Sequence, residues 1–205
     1  KLAVRQAPVV AKQVQSIQQL SDNRFDFGVG ISPWEEDFAV CDVPWERRGK
    51  RFDEQLAILK GLESGDFFSF EGELHNMPAN KMCPAPTAPT PILMGGHSDP
   101  ALKRAARIGD GWMCAGADMA QLTDYITKLN HWRKEYGTAE KPFKIFTTGQ
   151  NAFTPEGIAE LEALGVTDVV IAFRNVYELE PDHSLEKKIQ MLNWYATEFI
   201  GPHRA

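Results

Sequence analysis

Short apolar runs alternate with amphipathic helical stretches along the whole chain. A helical pattern from Pro8 to Leu20 places Val10, Val14, Ile17 and Leu20 on one side, and the run FDFGV follows at 25–29. Next comes a long helix with Trp45, Phe52, Leu56 and Leu59 on one face, then the run PILM at 91–94. The helix ALKRAARI follows, and Gly109 is expected to end it as a left-handed cap. WMCA at 112–115 leads to a helix carrying Met119, Leu122, Ile126 and Leu129, and FKIFTT at 143–148 leads to PEGIAELEAL, stopped at Gly165. VVIAF at 169–173 precedes a terminal helix with Leu185, Ile189, Leu192, Ala196 and Phe199. Five strands each followed by a helix predict a parallel sheet covered by helices.

Two architectures satisfy that pattern. An open, doubly wound five-stranded sheet needs nothing added, whereas a (β/α)8 barrel needs three further strands before Lys1. The helical pattern opens almost at Lys1, so the barrel is the expectation, with its first three βα units absent from this chain. Residues 63–90, ESGDFFSFEGELHNMPANKMCPAPTAPT, break the rhythm with a strand-like stretch around Phe68 and Phe70 and a Pro-rich crossing. They are expected to form an excursion over the barrel mouth within a single domain spanning 1–205.

Composition narrows the function classes. With 205 residues, 43% hydrophobic and 24% charged, the chain suits a packed core and excludes disordered or collagen-like classes. A net charge of -6, spread along the sequence, offers no footprint for nucleic acid or an anionic membrane and leaves small molecules as the expected partners. No apolar run approaches the roughly 20 residues of a membrane span, and no signal-peptide pattern opens the chain. Cys41, Cys83 and Cys114 are odd in number and far apart, so neither a disulfide framework nor a zinc site is expected. A soluble protein of the reducing cytoplasm fits these features.

Two loops carry candidate chemistry. Between PILM and its helix stand Gly95, Gly96, His97 and Ser98. Glycines let the backbone approach an anion, Ser98 and His97 add donors, and the following helix offers unpaired N–H groups and the positive end of its dipole. Asp99-Pro100 suits an N-cap with proline in the first turn, although it brings a carboxylate near the anion. A plain tight turn with a serine cap reads equally well, and the usual dinucleotide fingerprint GxGxxG is absent. The second loop, GVGISPWEEDF at 28–38, offers Trp34 as a wall for a planar ring; packing beneath the excursion is the alternative. Glu35, Glu36 and Asp37 read as a solvated face. ERRGKRFDE at 46–54 reads as an outer face bridged from Glu46 to Lys50. His75, His131, His183 and His203 lack partners at ligand spacing, so they read as surface residues and no metal is expected. No GxSxG elbow or Cys/His nucleophile motif is present.

The stretches RFDFGVGISPWEEDF, VPWERRGKRFDEQLAIL, FSFEGEL, PTPILMGGHSDPALKRAARIGDGW and LEALGVTDVVIAF, in this order and spacing, resemble the luciferase-like monooxygenase superfamily. The likeness is greatest to its deazaflavin (coenzyme F420)-dependent oxidoreductases. It implies a (β/α)8 TIM barrel in which FDFGV is the fourth strand and 63–90 lies between strands four and five. It implies that Gly95, Gly96, His97 and Ser98 hold the cofactor's phosphate, while Gly30, Ile31 and Ser32 flank its ring. In sugar-phosphate dehydrogenases of this kind a glutamate follows the second glycine of that strand; Ile31 stands here instead, which weakens a glucose-6-phosphate reading. Other catalytic groups of the family come from strands before Lys1, so none is named. The resemblance implies hydride transfer between coenzyme F420 and an organic substrate, and a homodimer. The alternatives are an FMN-dependent monooxygenase using reduced flavin and O2, and a cofactor-binding barrel without catalysis.

Overall fold

The structure is a computed structural model that describes residues 1–149, 151–174 and 182–201. Five strands form one parallel sheet: β1 (Phe27–Val29), β4 (Ile92–Gly95), β5 (Gly111–Cys114), β6 (Lys144–Thr148) and β7 (Asp168–Val170), hydrogen-bonded in that order. The order never reverses, so the switch point that a doubly wound sheet requires does not exist, and that alternative is set aside. Right-handed crossovers between sequential neighbours put every covering helix on the same face. Pairing joins Phe27 to Ile92, Met94 to Trp112 and Met113 to Phe146, which sets alternate side chains toward the helices. Val29, Ile92, Met94, Trp112, Cys114 and Ile145 belong to the core on that face.

The helical layer comprises α1 (Ala7–Leu20), α2 (Glu35–Val40), α3 (Arg48–Glu63), α4 (Asp99–Ile108), α5 (Met119–Glu135), α6 (Pro155–Ala163) and α7 (Leu185–Tyr195). Helix α3 buries Phe52, Leu56, Ile58, Leu59 and Leu62 against α1, and α4 buries Leu102, Ala105 and Ala106 between the sheet and α5. Each fully buried Leu or Phe stabilises by about 1.5–3 kcal/mol, so these faces fix where the helix N-termini sit. Between α3 and β4, the strands β2 (Phe68–Glu71) and β3 (Asn76–Asn80) pair as an antiparallel hairpin. Among the described residues no helix is long and apolar enough to cross a membrane.

Several local expectations are corrected. Gly109 is extended (φ -82°, ψ 154°) rather than left-handed, because the chain turns directly into β5. Trp45 precedes α3: Asp42 and Arg47 adopt φ of 53° and 57°, which breaks the helical path. The last strand stops at Val170, and the terminal helix leaves Leu185, Ile189 and Leu192 exposed instead of burying them. It is held through aromatic contacts of Trp194 and Tyr195 with Phe153, and Tyr195 Oη donates to the Ala152 carbonyl at 2.8 Å. His203 lies outside the described residues.

Candidate functional site

Because all five sheet strands run parallel, the segments that follow β1 and β4 leave the sheet at the same end. There they border a cleft of about 480 Å³ lined by Ile31, Ser32, Gly95, Gly96, His97 and Ser98. Gly30 lies behind it, its carbonyl accepting from the Leu2 N–H at 3.3 Å. Trp34 is not part of the lining; it is half exposed, with the Lys1 ammonium 4.8 Å from its ring.

The N-terminus of α4 points into this cleft. Ser98 is its N-cap, one residue earlier than the Asp-Pro pair led us to expect, yet its side chain caps nothing. Among the described residues the backbone N–H groups of His97, Ser98 and Asp99 donate to no protein acceptor. His97 is half-buried while Ser98 and Asp99 are exposed, so these donors are open to an external anion, which the helix dipole favours with about half a positive charge. The Asp99 carboxylate is countered by Lys128 on α5, 3.6 Å away. Gly96 has φ +119°, and a Cβ there would lie 2.9 Å from the Ala101 Cβ, so the cradle requires glycine at this position. Gly95 has no such demand, since its nearest neighbour would be the Val29 carbonyl at 3.5 Å.

His97 is pinned from behind. Its ring stacks on Tyr125 with centroids 5.0 Å apart and planes 11° from parallel, and Nε2 sits 3.6 Å from Cys114 Sγ. Burial lowers the His97 pKa and pushes the Cys114 thiol up to about 11, so both are neutral. Between two neutral groups either the thiol or an Nε2–H can donate in this contact, according to the His97 tautomer. Below them, Trp112 Nε1 donates to the Gly96 carbonyl at 2.9 Å and holds the loop to the sheet.

Sequence reasoning missed the cationic wall. Arg47, Arg48 and Arg104 also line the cleft, the first two at the start of α3. Cations at a helix N-terminus oppose its dipole by a few tenths to 1 kcal/mol, so helix stability does not account for them. The expected Glu46–Lys50 bridge is not formed, since Glu46 precedes the helix; Lys50 reaches Glu73 at 2.8 Å instead. Arg104 binds Asp53 through two nitrogens at 2.5 and 3.2 Å, whereas Arg48 has no carboxylate partner among the described residues and lies 3.5 Å over the Trp45 ring. A pair of arginines beside a glycine at a helix start was the available signal.

The two remaining neighbourhoods are internally satisfied. Ser32 donates to Asp37 and accepts from the Trp34 N–H, while Asp37 pairs with Lys1 at 2.5 Å. Hydrogen bonds from Lys1 and then Ser32 hold the Asp37 carboxyl below its usual range. At the β2–β3 hairpin, buried Glu54 of α3 accepts the N–H groups of Glu73, Leu74 and His75 and meets the His75 ring at 3.0 Å. Burial raises its pKa, but these hydrogen bonds outweigh it and keep Glu54 ionised below the ordinary range. His75 is therefore half-buried and tethered, not a loose surface residue, and Glu73 ties the hairpin to Arg47 at the cleft rim.

Singly wound parallel strands, with two helix N-termini and three arginines around one cleft, define an α/β fold with a cationic cleft at the strands' C-terminal ends. The model of the luciferase-like monooxygenase family matches residues 2–174, and the chain belongs to that family. An uncharacterized protein of Mycobacterium tuberculosis is 46% identical over 202 residues, covering 98% of this chain and 69% of the relative. An FMNH2-dependent dimethylsulfone monooxygenase of Pseudomonas putida is 29% identical over 170 residues, 80% of this chain and 45% of that protein. Among solved structures, the monooxygenase RslO1 from Streptomyces bottropensis aligns with a TM-score of 0.77 at 16% identity, covering 100% of this chain and 76% of that one. The coenzyme F420-dependent tetrahydromethanopterin reductase from Methanopyrus kandleri aligns at 0.68 and 15%, over 98% and 80%. At these identities the two structures show the fold: a luciferase-like α/β architecture. The family contains both F420- and FMN-dependent oxidoreductases and monooxygenases.

Proposed function

We propose that the full-length protein, in which this sheet is part of a (β/α)8 barrel, is a cytoplasmic, homodimeric F420-dependent oxidoreductase. It would transfer hydride between the deazaflavin and a small organic substrate. The observation that supports this reading is the set of unengaged donors of His97, Ser98 and Asp99 beside Arg48, in one cleft with Ile31 and Ser32. The residues fit a phosphate-bearing cofactor tail. Gly96 lets the backbone turn under it, the α4 N–H groups and Ser98 donate to it, and Arg48 and Arg104 supply charge-assisted donors. His97 adds a ring nitrogen, and Ile31 and Ser32 line the ring's end of the cleft, with Gly30 next to them outside the lining. The bound cofactor supplies the hydride chemistry. The protein fixes the ring, and the excursion of 63–90, tied down at Glu54, shields it from water. Catalytic residues are not assigned.

The FMNH2-dependent relative supports a second reading, in which reduced FMN occupies the same cradle and reacts with O2. Fluorescence titration of the full-length protein with F420 and with FMN separates the two. Tighter binding of F420, with substrate-dependent bleaching of its absorbance, is expected; preference for FMN selects the monooxygenase, and tight binding without turnover a non-catalytic barrel. Binding of neither overturns the cleft assignment.

A further inference from the structure

A second cavity, of about 190 Å³, lies at the opposite end of the sheet. Its lining includes Asp110, just before β5, and Phe143, just before β6, so it sits at the strands' N-terminal ends while the cleft lies beyond their C-terminal ends. Four cations line it: Lys60 from the last turn of α3, Arg107 from the last turn of α4, Arg133 from the last turn of α5, and Lys141. In a chain with 28 acidic against 22 basic residues, a carboxylate partner for each is the expectation. Among the described residues none of the four has one within 4.0 Å.

Among the described residues their only hydrogen-bond partners are carbonyls. Lys60 Nζ donates to Ile108 at 2.7 Å, and Arg133 Nη2 donates to Thr138 at 2.9 Å and Lys141 at 2.6 Å. The Arg133 guanidinium is further fixed 4.4 Å from the Phe143 ring, and among the described residues its Nη1 has no hydrogen-bond partner. Burial pulls its pKa down, with Glu140 pushing the other way. The acid in the lining, Asp110, already accepts the Ile92 N–H at 2.9 Å. Helix ends explain part of the cluster, since each C-terminus carries about half a negative charge. Three helix ends and Asp110 together offset roughly 2.5 of the four positive charges, leaving an excess of about +1.5 at one small cavity.

We infer that this cavity is a second binding site, for a compact phosphate-type oxyanion, held by Arg107, Arg133, Lys60 and Lys141. Both α3 and α4 run from the cofactor cleft to this cavity, so an oxyanion here braces the far ends of the helices whose N-termini form the cleft. The site stands independently of which cofactor the cleft takes.

Isothermal titration of the full-length Arg48→Ala protein, in which the cleft is weakened, with inorganic phosphate at constant ionic strength tests the site. Saturable binding is expected, reduced about tenfold, or 1.4 kcal/mol, when Arg107→Ala and Lys141→Ala are added. Should the combined variant not fold, Lys141→Gln alone, on an exposed loop, is expected to weaken binding about threefold. A parallel arm with glycerol phosphate distinguishes free phosphate from a phosphorylated small molecule by which binds tighter. No saturable heat, equal heats with chloride, or unchanged affinity in the far-end variants overturns the proposal.

Discussion

Helices α4 and α5 lie side by side on the same sheet, yet their N-termini are finished in opposite ways. At α5 a capping box closes the end: the Gln121 N–H donates to Asp118 Oδ1 at 2.8 Å and the Asp118 N–H donates to Gln121 Oε1 at 3.1 Å. At α4 the N-cap Ser98 makes no such bond, and the turn before it leaves three backbone donors unengaged among the described residues. At α5 the N-cap and third-position donors are taken, leaving the Met119 and Ala120 N–H groups without a protein acceptor among the described residues. At α4 the uncapped donors stand beside arginines, where an arriving anion can replace the water that serves them. The difference makes the α5 cap a stability element and supports the proposal that the α4 end binds the cofactor.

The largest expected effect comes from filling the open turn. Gly96→Val forces a β-branched residue to φ +119° and sets its Cβ against Ala101, so cofactor affinity should fall about 10- to 100-fold. A titration showing unchanged affinity would remove the anion from this turn. Arg48→Ala deletes a charge-assisted donor that has no protein carboxylate to lose, so affinity should fall about tenfold and depend less on salt, with the melting temperature nearly unchanged. A large drop in stability instead would mean that Arg48 serves the fold.

A crossed pair of cap substitutions sharpens the contrast. Asp118→Ala breaks the capping box and should cost about 1 kcal/mol of stability in denaturant unfolding, leaving cofactor affinity intact. Ser98→Ala removes a hydroxyl that caps nothing, so stability should hold while affinity falls a few-fold. If the two substitutions behave alike, the distinction between the helix ends fails.

Much of this contrast was legible in the residues. The alternation of β-branched runs with amphipathic helices gave the parallel sheet, and Gly-Gly-His-Ser between PILM and its helix marked the open turn. The order of pairing, which separates a singly wound sheet from a doubly wound one, depends on contacts between distant segments and was not readable. The arginines were misassigned because Trp45 sits at helical spacing from Phe52, which hid the left-handed Arg47 and the true start of α3. The tether of Glu54 to the hairpin joins residues about 20 positions apart and leaves no periodic trace. Gly30 directly precedes Ile31 and Ser32 but is not in the cleft lining, and its carbonyl is taken by the Leu2 N–H, a contact between distant segments that the sequence does not mark.

The smallest expected effect concerns the support beneath the open turn. Cys114, at the end of β5, holds His97 from the side of the sheet that leads to α5, so the satisfied half of the pair braces the open half. Its thiol stays protonated in the folded protein up to about 11, whereas in the unfolded chain it ionises in the ordinary thiol range. Between those limits the folded state binds more protons, so stability falls as pH rises through the window. At the pH where the unfolded thiol is half ionised, the loss is RT ln 2, about 0.4 kcal/mol, and it grows until the folded thiol also ionises. Cys114→Ala should flatten this part of the alkaline stability profile in urea unfolding. Because the thiol no longer meets Nε2, the His97 ring nitrogen shifts should also change, even at neutral pH. An unchanged alkaline slope in the variant would assign it to other groups and leave Tyr125 stacking as the brace for His97.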